Sequence, residues 1–168
     1  MKKLLKSTSV LLALACGLAW SQAPVHAPAP PLQGLPGQAS KASGERFQPD
    51  QVKGKVTVVF YWSTGCAVCR DSLPELRANL NGWRDKPFAL LTVNVDRHAA
   101  EWQDYERIAT TMQKKPLPGL ISLHQDGVLP GSVRLPVTVL LDAKGKQVAR
   151  YEGRVAPEVW DAIADLLP

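Results

Sequence analysis

The 168-residue sequence contains few residues that bind metals. It has only three cysteines and three histidines. A structural zinc site normally uses four cysteine or histidine ligands, and the single Cys-x-x-Cys motif, Cys66 to Cys69, supplies two of them. The histidines, at positions 26, 98 and 124, do not form a second pair at ligand spacing, so we expect no metal site. A purely structural role for a Cys66–Cys69 disulfide is also disfavoured, because so small a loop gains little from closure.

The sequence also lacks an apolar run of comfortable transmembrane length, which is about 20 residues. Its N-terminus instead has Lys2, Lys3 and Lys6, then an apolar segment over residues 10–19 and small residues up to Ala23. This pattern predicts a signal peptide over residues 1–23. Two alternatives stay open: an uncleaved membrane anchor, or a lipoprotein site at Cys16.

The positive charge of the chain lies largely in this leader. Its removal takes away three lysines and no acidic residue, which lowers the formal net charge from +5 to +2. No basic patch then remains to indicate nucleic-acid binding, so we expect no nucleic-acid partner. The mature chain keeps only Cys66 and Cys69, and the leader directs it to a compartment where disulfides form.

The rest of the sequence divides into a linker and one domain. Residues 24–44 are rich in proline, alanine and glycine and lack apolar periodicity, which predicts a tether. Residues 45–168 form the predicted domain, which we expect to be monomeric.

Apolar periodicity in this domain predicts an α/β fold with a central mixed β-sheet flanked by helices on both faces. Strands are expected at residues 55–62, 88–95, 137–142 and 147–151. Helices are expected from Cys66 to about residue 82, over 99–113 and over 157–167. In the second helix Trp102, Tyr105, Ile108 and Met112 share one side, which predicts core packing.

The position of the cysteines favours redox chemistry. The first strand ends at Trp62, and residues 63–65 lead into the first helix, so Cys66 stands at the helix N-terminus. Unpaired backbone N–H groups and the helix dipole stabilise a thiolate there, and the pKa of such a cysteine falls below its free value. Cys69 follows one turn later, within bonding reach. We therefore expect Cys66 to attack a disulfide and Cys69 to resolve the mixed disulfide.

These residues resemble the thioredoxin superfamily, and specifically the TlpA-like (ResA-like) thiol–disulfide reductases of the bacterial cell envelope. The resemblance covers residues 45–168. It rests on these residues: Tyr61-Trp62, Cys66-Ala-Val-Cys69, Pro74, Val93-Asn-Val-Asp96, Leu135-Pro136 and Leu140-Leu-Asp142. It implies a thioredoxin-like fold, an insertion between Asn94 and Pro136, and a cis-proline at Pro136 that faces the disulfide. It also implies that Leu135 pairs through its backbone with the substrate chain. We expect Trp62 to line the same site and shield the disulfide, and core packing of Trp62 stays open as the alternative.

Three positions depart from the family pattern. Gly65 replaces the tryptophan that many members have before the first cysteine, which opens the surface. Val68 replaces the common proline inside the motif. Phe60 stands where thioredoxin itself has a buried carboxylate, so the sequence identifies no base for Cys69.

The resemblance implies a periplasmic protein, soluble or tethered through its N-terminus, that reduces disulfides in exported proteins, with apocytochrome c among the candidate substrates. A membrane thiol donor would recharge it, and no cofactor beyond the Cys66–Cys69 disulfide is expected. Three alternatives stay open: a disulfide oxidase or isomerase, a copper-binding thiol chaperone, and a non-catalytic binding module on the same fold.

Overall fold

The computed structural model describes residues 39–113, 115–125 and 133–168. The expected signal peptide, and the part of the expected linker before Ala39, lie outside the described residues. The packed region begins earlier than the boundary predicted at residue 45. Ala39 is fully buried, and Ser40 exchanges two backbone hydrogen bonds with His124, at 3.0 and 2.9 Å. Residues 39–44 are therefore part of the domain and not of a free tether.

The centre of the sheet consists of two parallel strands, β1 (Val56–Trp62) and β2 (Phe88–Asn94). Every residue of both strands is buried, as expected for parallel strands that are covered on both faces. Their register runs from Val56 opposite Phe88 to Trp62 opposite Asn94. Helix α1 (Ala67–Gly82) connects them and contains Pro74. The two strands therefore end side by side, next to the helix N-terminus that bears Cys66.

Three further strands complete a five-stranded mixed sheet, which confirms the predicted fold class. They are β3 (Leu120–His124), β4 (Val137–Leu141) and β5 (Gln147–Glu152), and the strand order is β3-β2-β1-β4-β5. Strand β3 is parallel to β2, whereas β4 is antiparallel to β1 and β5 to β4. The sequence did not predict β3. It is a short strand of five residues at the sheet edge, and Ser122 and His124 interrupt its apolar run.

The placement of the helices differs from the prediction in the described part of the chain. Helices α1, α2 (Ala99–Met112) and α3 (Glu158–Ala164) all contribute to the core on one face of the sheet. The other face is covered by residues 39–55, which include a 3₁₀ turn at Pro49–Val52, and by residues 133–135. The physical reason is that β1, β2 and β3 step in one direction, and right-handed crossovers then place α1 and α2 on the same side. None of the described helices has the length and apolar character that a membrane span requires.

The predicted apolar side of α2 is only partly core. Trp102 is buried and Tyr105 half-buried, but Ile108 is 57% and Met112 79% exposed. The prediction of core packing is therefore wrong for the second half of this helix.

Candidate active site

Cys66 caps the N-terminus of α1, as the sequence predicted. Its backbone is extended (φ −87°, ψ 104°), and its Sγ accepts a hydrogen bond from the Cys69 backbone N–H at 3.2 Å. An N-cap acceptor satisfies one of the helix N–H groups that lack an intrahelical partner. The same N–H is available to a Cys66 thiolate, which would accept a stronger, charge-assisted hydrogen bond.

The two cysteines form a disulfide with a Cα–Cα distance of 5.2 Å, but their environments differ. Cys66 is partly exposed, whereas Cys69 is fully buried and packs with Phe60 and Leu73. A substrate sulfur can reach only the partly exposed member of the pair. This asymmetry fits the predicted roles, with Cys66 attacking and Cys69 resolving.

The loop before Cys66 is held from two sides through Thr64. The Thr64 N–H donates to both carboxylate oxygens of Asp96, at 3.1 and 3.0 Å, and the Arg70 guanidinium donates to the Thr64 carbonyl. The Cys66 N–H donates to Ser63 O at 3.2 Å. The residues that carry Cys66 into the helix are therefore fixed by hydrogen bonds.

Trp62 does not lie where the sequence analysis expected it. The side chain is fully buried and meets Tyr105 edge to face, with 4.8 Å between ring centroids. A substrate cannot contact a fully buried ring, so the expected substrate-binding role of Trp62 is corrected to core packing. Trp62 is the last residue of a strand that is buried on both faces, which explains the burial.

Leu135 and Pro136 lie beside the end of β1. Tyr61 pairs with Val137 in the antiparallel register of β1 and β4, so continuation of this register brings Pro136 opposite Trp62. The Leu135–Pro136 peptide bond is cis. Leu135 is half-buried and packs against the cluster that contains Cys69, as Cys66 also does. The topology thus brings both predicted residues to the same end of the sheet as the cysteines.

The three positions that depart from the family pattern also have clear locations. Gly65 and Val68 are exposed next to the disulfide, and Val68 is 46% exposed. Phe60 is buried beneath Cys69 and lines a small cavity together with Thr138 and Glu75. Thr138 Oγ1 is buried and has no hydrogen-bond partner among the described residues.

Two of the residues that organise this region were not identified by the sequence reasoning. Glu75 accepts hydrogen bonds from Trp160 Nε1 at 2.8 Å and Arg154 Nη2 at 3.1 Å, and nothing in the local sequence indicates this role. Asp96 was noted only as part of a family motif. The signal that would have identified Asp96 is positional, because it follows β2 by two residues as Thr64 follows β1.

Across the described residues, no group of three or more histidine, cysteine, aspartate or glutamate side chains is placed to hold a metal ion. His124 is buried, and its Nε2 lies 2.9 Å from the Asp96 carbonyl. His98 is the N-cap residue of α2.

The AhpC/TSA family model matches residues 25–161. The chain belongs to the AhpC/TSA family. Together with the fold shared by its structural neighbours, this AhpC/TSA match confirms the resemblance to the thioredoxin superfamily. No curated protein gives a significant sequence match.

Several solved structures share the fold of this AhpC/TSA member. The thioredoxin domain of a thiol–disulfide oxidoreductase from Bacteroides vulgatus superposes with a TM-score of 0.58 at 23% identity, over 77% of this chain and 93% of that one. An exposed lipoprotein thioredoxin from Streptococcus pneumoniae gives 0.56 at 19% identity, over 74% and 94%. A secreted disulfide oxidoreductase from Mycobacterium tuberculosis, homologous to Escherichia coli DsbE, gives 0.59 at 18%, over 76% and 94%. At these identities the likeness shows the fold alone.

Proposed function

We propose that this protein reduces disulfide bonds in exported proteins of the bacterial cell envelope. The observation that carries the proposal is the asymmetric dithiol: Cys66 is partly exposed and caps α1, while Cys69 is fully buried beneath it. A nucleophile needs exposure and a stabilised thiolate, whereas a resolving thiol needs only access to the mixed disulfide.

The reaction follows from this arrangement. The Cys66 thiolate attacks one sulfur of a substrate disulfide, forms a Cys66–substrate bond, and releases the other substrate sulfur as a thiolate, which takes up a proton. Cys69 then loses its proton and attacks Cys66 Sγ, which releases the second substrate thiolate. The substrate has gained two electrons, and the protein is left with the Cys66–Cys69 disulfide.

A further turnover requires a dithiol donor that returns two electrons to this disulfide. We propose a membrane thiol protein for this role and place the protein in the periplasm, soluble or tethered through its N-terminus. Two solved structures of the same fold are described as a secreted protein and an exposed lipoprotein, which supports an envelope location. We propose that the protein acts as a monomer, that its substrates include apocytochrome c, and that no cofactor beyond the dithiol takes part.

The test uses the chain without residues 1–23 and insulin as the disulfide substrate, with dithiothreitol as the donor. Wild type should accelerate reduction, and Cys66→Ser should lose the acceleration. Cys69→Ala is the matched variant, because alanine suits the fully buried position. It should accumulate a mixed disulfide between Cys66 and insulin. Equal loss of activity in both variants without a trapped intermediate would contradict the assigned roles.

The same experiment addresses the alternatives. A non-catalytic module would show no acceleration in the wild type. A copper chaperone would bind Cu(I) tightly through its reduced thiols and show poor reductase activity, which metal analysis of the reduced protein would detect. An oxidase would transfer its disulfide to a reduced protein faster than it reduces insulin.

A further inference from the structure

A buried carboxylate stands beside the loop that leads into the active-site helix. Asp96 is only 8% exposed, and it follows β2 by two residues. The parallel register places Trp62 opposite Asn94 at the ends of β1 and β2. Residues two positions further on, Thr64 and Asp96, are therefore neighbours, and their hydrogen bonds show that the pairing continues through the side chain of Asp96.

Both oxygens of the buried Asp96 carboxylate accept hydrogen bonds. The Thr64 N–H lies 3.1 and 3.0 Å from its two oxygens, and Asn94 Nδ2 donates to one of them at 2.9 Å. Asn94 Oδ1 in turn accepts the Asp96 backbone N–H at 3.0 Å. Hydrogen bonds of this kind are what stabilise a buried charge.

The backbone of Asp96 is anchored as well. Its carbonyl lies 2.9 Å from Nε2 of His124, a buried residue that stacks on Trp102. The carboxylate is thus fixed relative to the sheet, and through Thr64 it fixes the loop that positions Cys66. Two residues span at most about 7 Å, and the turn closed by the Cys66 N–H to Ser63 O bond shortens this path, so the carboxylate lies on the order of 10 Å from the reactive sulfur.

We propose that Asp96 is a positioning residue of the dithiol. Asp96 holds the loop before Cys66, and its fixed negative charge favours the Cys66–Cys69 disulfide over the Cys66 thiolate. This inference rests on the proposed function and deepens it, because a charge of this sign makes the dithiol a stronger reductant. Reduction adds negative charge at Cys66, and a nearby carboxylate opposes that charge.

Other charged groups near the loop act more weakly. The Arg70 guanidinium, on the Thr64 carbonyl, has the opposite sign, but Arg70 is exposed and solvent screens its charge. Glu101 lies 3.5 Å from Thr64 Oγ1 at an exposed contact, and Arg97 is also exposed. Asp96 is the buried member of this set, so its charge is screened least.

The experiment measures the equilibrium constant of the Cys66–Cys69 pair against glutathione in wild type, Asp96→Asn, Asp96→Ser and Glu101→Gln. Asparagine removes the charge but keeps one oxygen to accept the Thr64 N–H. At an effective dielectric constant between 20 and 80, a unit charge about 10 Å away changes the constant by about twofold to about fifteenfold. We expect Asp96→Asn to shift the pair toward the dithiol by about threefold to tenfold, which is about 14 to 30 mV.

Glu101→Gln is the matched control, because it removes an exposed carboxylate of α2 that contacts the same loop through the Thr64 hydroxyl and not through a backbone N–H. It should change the constant by less than about twofold. Reduced Asp96→Asn should also react faster with iodoacetamide at pH 6, since more Cys66 is thiolate. A purely structural residue would lower the urea midpoint of the oxidised protein and leave both readouts unchanged.

An unchanged constant in a folded Asp96→Asn or Asp96→Ser protein would overturn the proposal, as would an equal shift in Glu101→Gln. Unfolding of both Asp96 variants would assign the residue to the fold alone and would overturn it too. The constant is measured on the dithiol itself, so this test does not depend on insulin reduction. Failure of the wild type to reduce insulin would reject the proposed function and leave the effect of Asp96 on the dithiol intact.

Discussion

The attachment of α3 to α1 through Glu75 leads to a quantitative prediction. Glu75 follows Pro74 in α1, and its two oxygens accept hydrogen bonds from Trp160 Nε1 and Arg154 Nη2. Helix α3 has seven residues, and this polar contact adds to the apolar packing of its Ile163, Val159 and Trp160 against the core. Glu75→Ala removes both bonds, whereas Glu75→Gln keeps an acceptor for Trp160 and loses the charge.

The contacts predict unequal contributions. A hydrogen bond to a charged acceptor contributes about 1.5 to 3 kcal/mol, and Trp160 is half-buried, so the lower end applies. The Arg154 side chain is 59% exposed, and exposed ion pairs contribute about 0 to 1 kcal/mol after solvent screening. We therefore expect Glu75→Ala to cost about 2 kcal/mol of unfolding free energy and Glu75→Gln about 0.5 kcal/mol.

Urea unfolding of the oxidised protein measures both costs, provided that the m-value is unchanged. Double-mutant cycles with Trp160→Phe and Arg154→Ala then separate the two partners. The coupling with Trp160 should be about 1 kcal/mol or more, and the coupling with Arg154 below about 0.5 kcal/mol. A Glu75→Gln protein as unstable as Glu75→Ala, or a larger coupling with Arg154, would refute the reasoning.

Three further predictions concern the core, a turn and a buried tyrosine. Leu73 is 1% exposed and lies in the same core cluster as Cys69, so Leu73→Ala should lower the unfolding free energy by about 3 to 5 kcal/mol. Leu166 is 40% exposed, so Leu166→Ala should lower it by less than about 0.5 kcal/mol, as measured by urea unfolding. Gly119→Ala should lower the unfolding free energy by about 1 to 3 kcal/mol, because φ at Gly119 is +82° and a Cβ would lie 3.0 Å from Phe88 O. Its control is Gly82→Ala in α1, where a Cβ meets open space, and this change should be neutral or stabilising by about 0.5 kcal/mol. Burial raises the pKa of Tyr61 above its ordinary 10.0. Above pH 10 the folded state therefore binds more protons than the unfolded state, and the unfolding free energy should fall as pH rises. A urea midpoint that stays constant from pH 9 to 11 would contradict this.

The parts of the fold that the sequence predicted are those with a strong local pattern. Strands β1, β2 and β4 are continuous apolar runs that are buried throughout, and the cysteine spacing after β1 indicated a helix N-cap at Cys66. Strand β3 was missed, because it is only five residues long and Ser122 and His124 interrupt its apolar run.

The rest depended on contacts between distant parts of the chain. Glu75 and Trp160 are 85 positions apart, and nothing local distinguishes Glu75 from a solvated glutamate. The contact of Asp96 with Thr64 spans 32 positions and requires the parallel register of β1 and β2. The exposure of Ile108 and the burial of Trp62 likewise depend on where a helix or strand ends relative to its neighbours, which periodicity alone does not specify.

The most direct test of the central claim is the reduction potential of the Cys66–Cys69 pair, obtained by equilibrating the chain without residues 1–23 against glutathione or dithiothreitol. A reductase of exported proteins should have a potential near or below about −220 mV, where it can donate electrons and must be recharged by a thiol donor. A value near about −120 mV, typical of a strong periplasmic oxidant, would contradict the proposal and indicate disulfide formation instead.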